Sequence, residues 1–493
     1  MSAINVTDLT YRYPDSYENV FDNLTLTLDT DWKLALTGRN GRGKTTFLRL
    51  LCGKLECRQG TIRCPVPLEY FPFAAAEEFD ALSALYAARP AMELWKLKRE
   101  MRGLGLAEEV LERPYRTLSG GERTKLQLAA LFSEESAYLL IDEPTNHLDR
   151  AGREKLAAYL KGKLGFILVS HDRAFLDACC DHILVFGAEG YTLRRGSFSD
   201  WWKDKTAADK AESEQNERLK KQIAAMQKSA ERMSGWADKV EASKNKKHKV
   251  AGLPPEKGHV GRMAAKMAKR AKVTERRQEK AIEEKSALLK DAEFYGNLKL
   301  SPLPFRAQEL CSLTHVSAGY GGKDAISDKT LTIGRGERIA VAGANGCGKS
   351  TLLKLLAGRI EPREGIVRVP GDLTVSYLPQ DVSAISGSVA EYAAAGGAPP
   401  ALVMAILNKL NFRSSLFEKD ISAYSEGQKK KMALAVSLAT PAHLYIWDEP
   451  LNYIDLVSRI QLEELILQFC PTLLFVEHDA EFCRKIATKT MFL

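Results

Sequence analysis

The 493 residues are 45% apolar and 27% charged, a mix that fits a soluble globular chain of roughly two to four domains and excludes a disordered one. The formal charge of +8 comes from 71 Lys and Arg against 63 Asp and Glu. It is unevenly placed: residues 203–290 hold 24 basic and 13 acidic side chains, which leaves the rest of the chain slightly acidic. No apolar run approaches the roughly 20 residues of a membrane span. The start of the chain, Met1 to Asp8, lacks the basic and apolar regions of a secretory leader. The nine cysteines (52, 57, 64, 179, 180, 311, 347, 470 and 483) show no CxxC spacing, which predicts buried, reduced thiols in a cytoplasmic protein rather than disulfides or zinc.

In chain order, Trp32 to Thr37 is an apolar run that predicts a strand ending at Gly38. The segment Gly38-Arg39-Asn40-Gly41-Arg42-Gly43-Lys44-Thr45 then fits GxxxxGK[ST], and Phe47 to Leu51 reads as a helix. Strand, glycine-rich loop and helix make a phosphate cradle, because loop N–H groups point inward and the helix adds its positive end. Lys44 is expected on the β- and γ-phosphates and Thr45 on Mg²⁺, with Gly38, Asn40, Gly41, Gly43 and Thr46 completing the loop. Ala137 to Ile141 predicts a buried strand that delivers Asp142 and Glu143. An aspartate there can hold Mg²⁺ through water, and the adjacent glutamate can polarise an attacking water.

The middle segment reads differently. Leu219, Ile223, Met226, Ala230, Met233, Ala237 and Val240 recur at spacings alternating between four and three, an a/d seam on a helix. Ala251-Gly252 and Pro254-Pro255 break it, and a weaker seam runs from about Arg262 to Ala292. Two helices joined by such a turn predict an antiparallel coiled-coil hairpin, and about 40 residues per arm reach roughly 60 Å. Residues 244–272 carry ten Lys and Arg and one acid, Glu256. Lys244, Lys246, Lys247, Lys249, Arg262, Lys266, Lys269, Arg270 and Lys272 crowd the expected tip. Like charges packed this closely repel, and a phosphate-rich RNA would neutralise them and release counterions. With only Trp236 and His259 available for stacking, the expected readout is RNA shape and backbone rather than base sequence.

After the hairpin the first pattern returns. Arg338 to Ala342 predicts a strand, and Gly343-Ala344-Asn345-Gly346-Cys347-Gly348-Lys349-Ser350 repeats the phosphate loop, continued by Thr351. Leu444 to Trp447 leads into Asp448 and Glu449. The two lysines lie 305 positions apart. Ser119 and Ser425, Asp142 and Asp448, and Asp149 and Asp455 lie 306 apart, and His171 and His478 lie 307 apart. A near-constant offset over five landmarks predicts two copies of one α/β domain, at 1–202 and 299–493, separated by the basic segment 203–298.

These residues resemble the ATP-binding-cassette superfamily, a P-loop NTPase fold. Leu118-Ser119-Gly120-Gly121-Glu122 looks like its signature loop, and Tyr424-Ser425-Glu426-Gly427-Gln428 like a variant of it. Asn146-His147-Leu148-Asp149 and Asn452-Tyr453-Ile454-Asp455 resemble its D-loops, His171 and His478 its switch histidines, Tyr13 and Tyr320 its adenine-stacking aromatics, and Gln380 its Q-loop glutamine. The resemblance implies that ATP and Mg²⁺ are bound between one copy's phosphate loop and the other copy's signature. Site one would pair Lys44, Asp142, Glu143 and His171 with Ser425 and Gly427. Site two would pair Lys349, Ser350, Gln380, Asp448, Glu449 and His478 with Ser119, Gly120 and Gly121. Two departures, Phe73 at the first Q-loop position and Glu426 in the second signature, both fall in site one, so site two is expected to be the better hydrolase.

Transporters of the superfamily carry membrane-spanning segments or partners, whereas tandem cassettes joined by a long charged linker resemble the ABC-F branch. The first copy has no insertion between Phe73 and Ser119, where housekeeping members of that branch carry an arm. This and the phrase from Leu444 to Asn452 resemble the antibiotic-resistance members of the Lsa/Vga type. That resemblance implies a cytoplasmic partner of the bacterial ribosome that pushes its linker from the tRNA exit site toward the peptidyl-transferase centre. There it would meet large-subunit rRNA and P-site tRNA and help lincosamides, streptogramin A or pleuromutilins leave. Neither DNA nor a membrane subunit is an expected partner, and with Leu493 close behind His478 no further domain is expected. The rival readings are a housekeeping translation factor and the ATPase subunit of a drug exporter.

Overall fold

The computed structural model describes residues 2–14, 19–134, 137–146, 148–187, 190–244, 300–321, 323–344, 346–410, 412 and 416–493. The first copy runs β1 (Ala3–Tyr11), β2 (Phe21–Asp29), β3 (Lys33–Gly38), α1 (Lys44–Leu51), β4 (Gln59–Arg63), β5 (Leu68–Phe71), α2 (Ala81–Ala88), α3 (Leu94–Leu104), α4 (Gly120–Phe132), β6 (Tyr138–Asp142), α5 (Arg150–Lys161), β7 (Phe166–Val169), α6 (Arg173–Cys179), β8 (His182–Phe186) and β9 (Tyr191–Arg195). A single helix, α7, then spans Phe198–Lys244. The second copy runs β10 (Glu309–Tyr320), β11 (Lys323–Gly334), β12 (Arg338–Ala342), α8 (Lys349–Leu356), β13 (Glu364–Arg368), β14 (Val375–Leu378), α9 (Val389–Ala395), α10 (Pro400–Lys409), α11 (Glu426–Ala439), β15 (Leu444–Asp448), α12 (Leu456–Phe469), β16 (Leu473–Val476), α13 (Ala480–Ile486) and β17 (Lys489–Phe492).

Each copy folds as two sheets. A three-stranded antiparallel sheet is ordered β2-β1-β4 in the first copy and β11-β10-β13 in the second. A mostly parallel sheet is ordered β5-β6-β7-β3-β8-β9 and β14-β15-β16-β12-β17, respectively. The central parallel strands are covered on both faces, which is why Phe166-Ile167-Leu168-Val169 and Leu444-Tyr445-Ile446-Trp447 are continuous apolar runs, all buried. Their carboxyl ends gather on one edge, where a parallel α/β sheet presents its ligand crevice.

The core of the first copy is built from both sheets and α1. Phe47 on α1 meets Phe186 on β8 edge-on, with centroids 5.4 Å apart. In the second copy Trp447, Tyr445, Phe475 and Phe482 anchor one cluster, and Leu313, Ile333, Leu352 and Val476 belong to another between α8 and the antiparallel sheet. The helices start alike in both copies. Ser119 and Ser425 form capping boxes with Glu122 and Gln428, and Asp149 and Asp455 cap α5 and α12.

Two readings need adjustment. The cysteines are all free thiols, but Cys179 and Cys311 alone are buried, and Cys57 and Cys470 are exposed. These two lie in a strand approach and at a left-handed helix end, positions that local apolar pattern does not reveal. The helix of the middle segment begins at Phe198, ahead of residue 203, because the apolar seam marks packing rather than the point where helical hydrogen bonding starts. Lys244 is its last residue. The Gly/Pro break, the second seam and Lys246, Lys247, Lys249, Arg262, Lys266, Lys269, Arg270 and Lys272 lie outside the described residues.

The cassette-like copies also meet through a buried ion pair. Arg173 on α6 contacts Glu463 on α12, both side chains being buried, and Lys485 on α13 approaches Glu463 at 3.3 Å. Removing one partner strands the other's charge in a low-dielectric setting. Arg173→Met is expected to destabilise the chain by about 2–4 kcal/mol in chemical denaturation, with Lys485 compensating in part, and a loss below about 1 kcal/mol would contradict this account of the contact.

Candidate functional site

The phosphate loops follow directly from β3 and β12. Gly43 and Gly348 sit at φ 85° and 99°, and a Cβ on either would come within 2.5 Å of Val20 or 2.4 Å of the Ala325 carbonyl. Only glycine tolerates both the left-handed backbone and the close approach. Lys44 Nζ donates to the carbonyls of Gly38 (2.7 Å) and Arg39 (3.2 Å), and Lys349 Nζ to those of Gly343 (2.9 Å) and Ala344 (2.8 Å). Each lysine is thereby held across the mouth of its loop, at the start of α1 or α8. Thr45, Thr46, Ser350 and Thr351 occupy the first turns of those helices. Asn345 lies outside the described residues, as does His147 of the first D-loop.

The carboxylates arrive at the ends of β6 and β15. Glu143 and Glu449 adopt φ 51° and 50°, strained for a non-glycine residue and matched in both copies. Each faces its histidine: His171 Nε2 lies 3.2 Å from Glu143 Oε1, and His478 Nε2 lies 3.7 Å from Glu449 Oε1.

Beyond that the two centres differ. At site two Gln380 Nε2 donates to Glu449 Oε1 at 2.9 Å, and Asn452 Nδ2 donates to Oε2 at 2.5 Å. Burial raises the Glu449 carboxyl, but the hydrogen bond and charge of His478, with Gln380 and Asn452, outweigh it and bring the pKa down to about 2. Ser350 Oγ lies 3.5 Å from Gln380 Oε1. Asp448 is 1% exposed, and among the described residues neither of its side-chain oxygens has a partner at hydrogen-bond geometry, although Ser350 lies near enough to favour its charge. A buried carboxylate with both oxygens free is costly unless a cation completes it, so this set of oxygens fits Mg²⁺.

At site one burial, reinforced by Asp142, pushes Glu143 up to about 8. Burial, with the charges of Lys44, Arg459 and Lys431, holds His171 well below the ordinary imidazole value. The Tyr70 phenol donates to Asp142 Oδ2 at 2.9 Å, occupying an oxygen that the corresponding Asp448 leaves free. Phe73 contributes only its carbonyl, which accepts from Gln127 Nε2 at 2.9 Å. Asp142 therefore sits beside a glutamate whose carboxyl holds its proton more tightly than usual, and one of its own oxygens is already engaged.

The clefts differ in the same direction. One of about 670 Å³ is lined by Ser119, Gly120 and Gly121 from the first copy and by Gly348, Lys349, Ser350, Gln380, Glu449 and His478 from the second. The first signature therefore faces the second phosphate loop, as expected. Two separate clefts surround Lys44, Thr45, Asp142 and Glu143, and Tyr453 is the one residue that the second copy lends to their lining among the described residues. The Tyr453 carbonyl accepts from Asn40 Nδ2 at 3.0 Å, and its side chain lies over Gly427. Ser425 caps α11 but lines neither cleft, and Glu426 likewise stays outside them. Tyr13 lines the cleft at Lys44, its hydroxyl 2.8 Å from Thr46 Oγ1. Tyr320 is 53% exposed, with Lys354 over its ring.

The contacts of Tyr70 with Asp142, Asn452 with Glu449 and Tyr453 with Asn40 escaped the sequence reading. Tyr70 and Tyr377 share the repeat offset of 307 and could have been found by aligning the copies. What each hydroxyl touches could not, since that of Tyr377 has no hydrogen-bond partner among the described residues.

The family model described as ABC transporter matches residues 21–146 and 326–452. The ribosome protection protein VmlR of Bacillus subtilis (strain 168) is 28% identical over 504 residues, covering 99% of this chain and 86% of that protein. ABC transporter F family member 5 of Arabidopsis thaliana is 27% identical over 539 residues, covering 96% and 73%. Among solved structures, the complex of archaeal ribosomal stalk protein aP1 with the archaeal ribosome recycling factor aABCE1 aligns at a TM-score of 0.64 and 22% identity, over 98% of this chain and 87% of that one. At that identity the likeness is one of fold.

If the first signature and the second phosphate loop are halves of one site, Gly120→Asp and Lys349→Ala should each lower ATP turnover about tenfold or more, and the double variant should be no worse than the worse single. Losses that multiply in steady-state assays would separate them.

Proposed function

The chain belongs to the ABC transporter family, and we propose that it acts as an F-branch member that protects bacterial ribosomes from drugs bound at the large subunit. It is an ATPase. The observation that carries the proposal is the cleft lined half by each copy: nucleotide held there joins the cassettes, so binding and closure are one event. No single helix among the described residues is long and apolar enough to cross a membrane. The near full-length likeness to VmlR supports the ribosome as partner.

In this reading Mg²⁺, when bound, neutralises charge developing on the transferred phosphoryl group. Lys349, with the loop N–H groups, holds the β- and γ-phosphates, and Ser350 and Asp448 hold the metal's side. Glu449, ionised and aimed by Gln380, Asn452 and His478, accepts the proton of the attacking water. The N–H groups at the start of α4, capped by Ser119, face the phosphate from the other side. Site one binds ATP with Lys44, Thr45 and Asp142 but hydrolyses it poorly, because Glu143 holds its proton and Tyr70 competes for Asp142. ATP-closed cassettes present the basic linker to rRNA beside the P-site tRNA in the cytoplasm, and hydrolysis releases the protein. Lincosamides, streptogramin A and pleuromutilins are the proposed drugs.

Glu449→Gln is expected to reduce turnover at least about tenfold more than Glu143→Gln; equal losses, or a larger one at Glu143, contradict the asymmetry. For the linker, alanine at Lys266, Lys269, Arg270 and Lys272 should leave ribosome-free ATPase intact while ribosome affinity falls and its salt dependence flattens by about four charges. Expression in a drug-sensitive bacterium tests the whole: a raised inhibitory concentration for large-subunit drugs is expected from the wild type and lost with Glu449→Gln. No protection, together with nucleotide-independent ribosome binding, would favour the housekeeping reading.

A further inference from the structure

The helix behind the second signature carries three consecutive buried lysines, Lys429, Lys430 and Lys431. Two have simple surroundings. Lys429 Nζ donates to the Ser383 carbonyl at 2.7 Å, and Lys431 reaches the Leu410 carbonyl at 2.9 Å and Asp455 at 3.4 Å. Lys430 is 1% exposed, and its ammonium donates to three backbone carbonyls: Pro379 at 2.7 Å, Asp448 at 2.9 Å and Gln380 at 3.4 Å.

An ammonium has three N–H donors, and here they are shared between the segment that carries Gln380 and the strand end that carries Asp448 and Glu449. Burying a cation without a contacting carboxylate is expensive, so the position calls for a return. Burial pushes the Lys430 ammonium down to about 8, and the carboxylates of Asp448, Glu449, Glu477 and Glu426, at longer range, only partly offset this. The first copy has no such tie. Thr124 stands at the position corresponding to Lys430, and the Phe73 carbonyl is held by the neutral amide of Gln127.

We infer that Lys430 is a positioning residue for site two: its ammonium pins the Gln380 backbone to the end of β15, so that the Gln380 amide stays on Glu449. The same helix begins at Ser425, in the second signature, so any displacement of that signature is felt at the Gln380–Glu449 contact. Lys430 touches neither the nucleotide loop nor Glu449 and acts through Gln380. The inference rests on Glu449 being the base of the better hydrolytic site.

The test uses the full chain carrying Glu143→Gln, in which turnover reports on site two, with ATP and Mg²⁺ as the ligands. Lys430→Met should lower kcat about tenfold or more and leave KM within about twofold, with Lys430→Arg recovering part of the loss. Gln380→Ala should give a similar kcat loss, and the pair together should be no worse than the worse single, because both remove the same contact. A kcat loss under about twofold for a folded Lys430→Met, or losses that multiply with Gln380→Ala, overturns the proposal. Melting temperatures identify folded variants. If Lys430→Met does not fold, Gln380→Ala alone decides, since it leaves Lys430 in place: an undiminished kcat removes what the pin is for. Glu449→Gln in the same background separates the two readings. If it leaves kcat intact, the assignment of the base fails; if it abolishes turnover while Lys430→Met does not, only the pin fails.

Discussion

A phosphate loop can cradle its ligand from one side only. Its N–H groups and the first turn of the following helix converge on the β- and γ-phosphates, and the far face of the triphosphate remains in water unless a second surface closes over it. In this chain that surface is the start of α4, where Ser119, Gly120 and Gly121 share a cleft with Gly348, Lys349 and Ser350. The requirement for a second surface explains why the fold is duplicated on one polypeptide. It is also consistent with a contact between copies, Asn40 with the Tyr453 carbonyl, that falls on a phosphate loop itself.

Duplication did not produce two equal centres. The glutamates share a strand end, a left-handed backbone and a facing histidine, yet one is pushed up to about 8 and the other brought down to about 2. The difference comes from their neighbours. At Glu449 the charge and hydrogen bond of His478, with the amides of Gln380 and Asn452, outweigh burial, whereas at Glu143 burial and Asp142 prevail and the position that would aim an amide is Phe73.

The local chemistry was legible in the sequence. Glycine spacing, the Asp-Glu pairs after apolar runs and the constant offset placed the loops, the carboxylates and the two-copy architecture, because each depends on residues close in the chain. The structure sets the first signature and the second phosphate loop on one cleft, and it leaves Ser425 and Gly427 outside the clefts at Lys44. What stayed hidden depends on residues far apart in sequence. Tyr70 reaches Asp142 across 72 positions, Arg173 reaches Glu463 across 290, and Lys430 reaches Pro379 across 51. A run of three lysines reads as a solvated helix face, and only the packing around α11 buries all three and gives each a backbone carbonyl to donate to.

The most direct test of the account is the distance between the two halves of the shared cleft. Spin labels at the exposed positions Arg116, beside the first signature, and Glu361, after α8, in a cysteine-free Glu449→Gln chain, allow pulsed electron paramagnetic resonance to follow it. The account predicts a short, narrow distance distribution with ATP and Mg²⁺ that lengthens and broadens with ADP. The same distribution with ATP, with ADP and without nucleotide would contradict it.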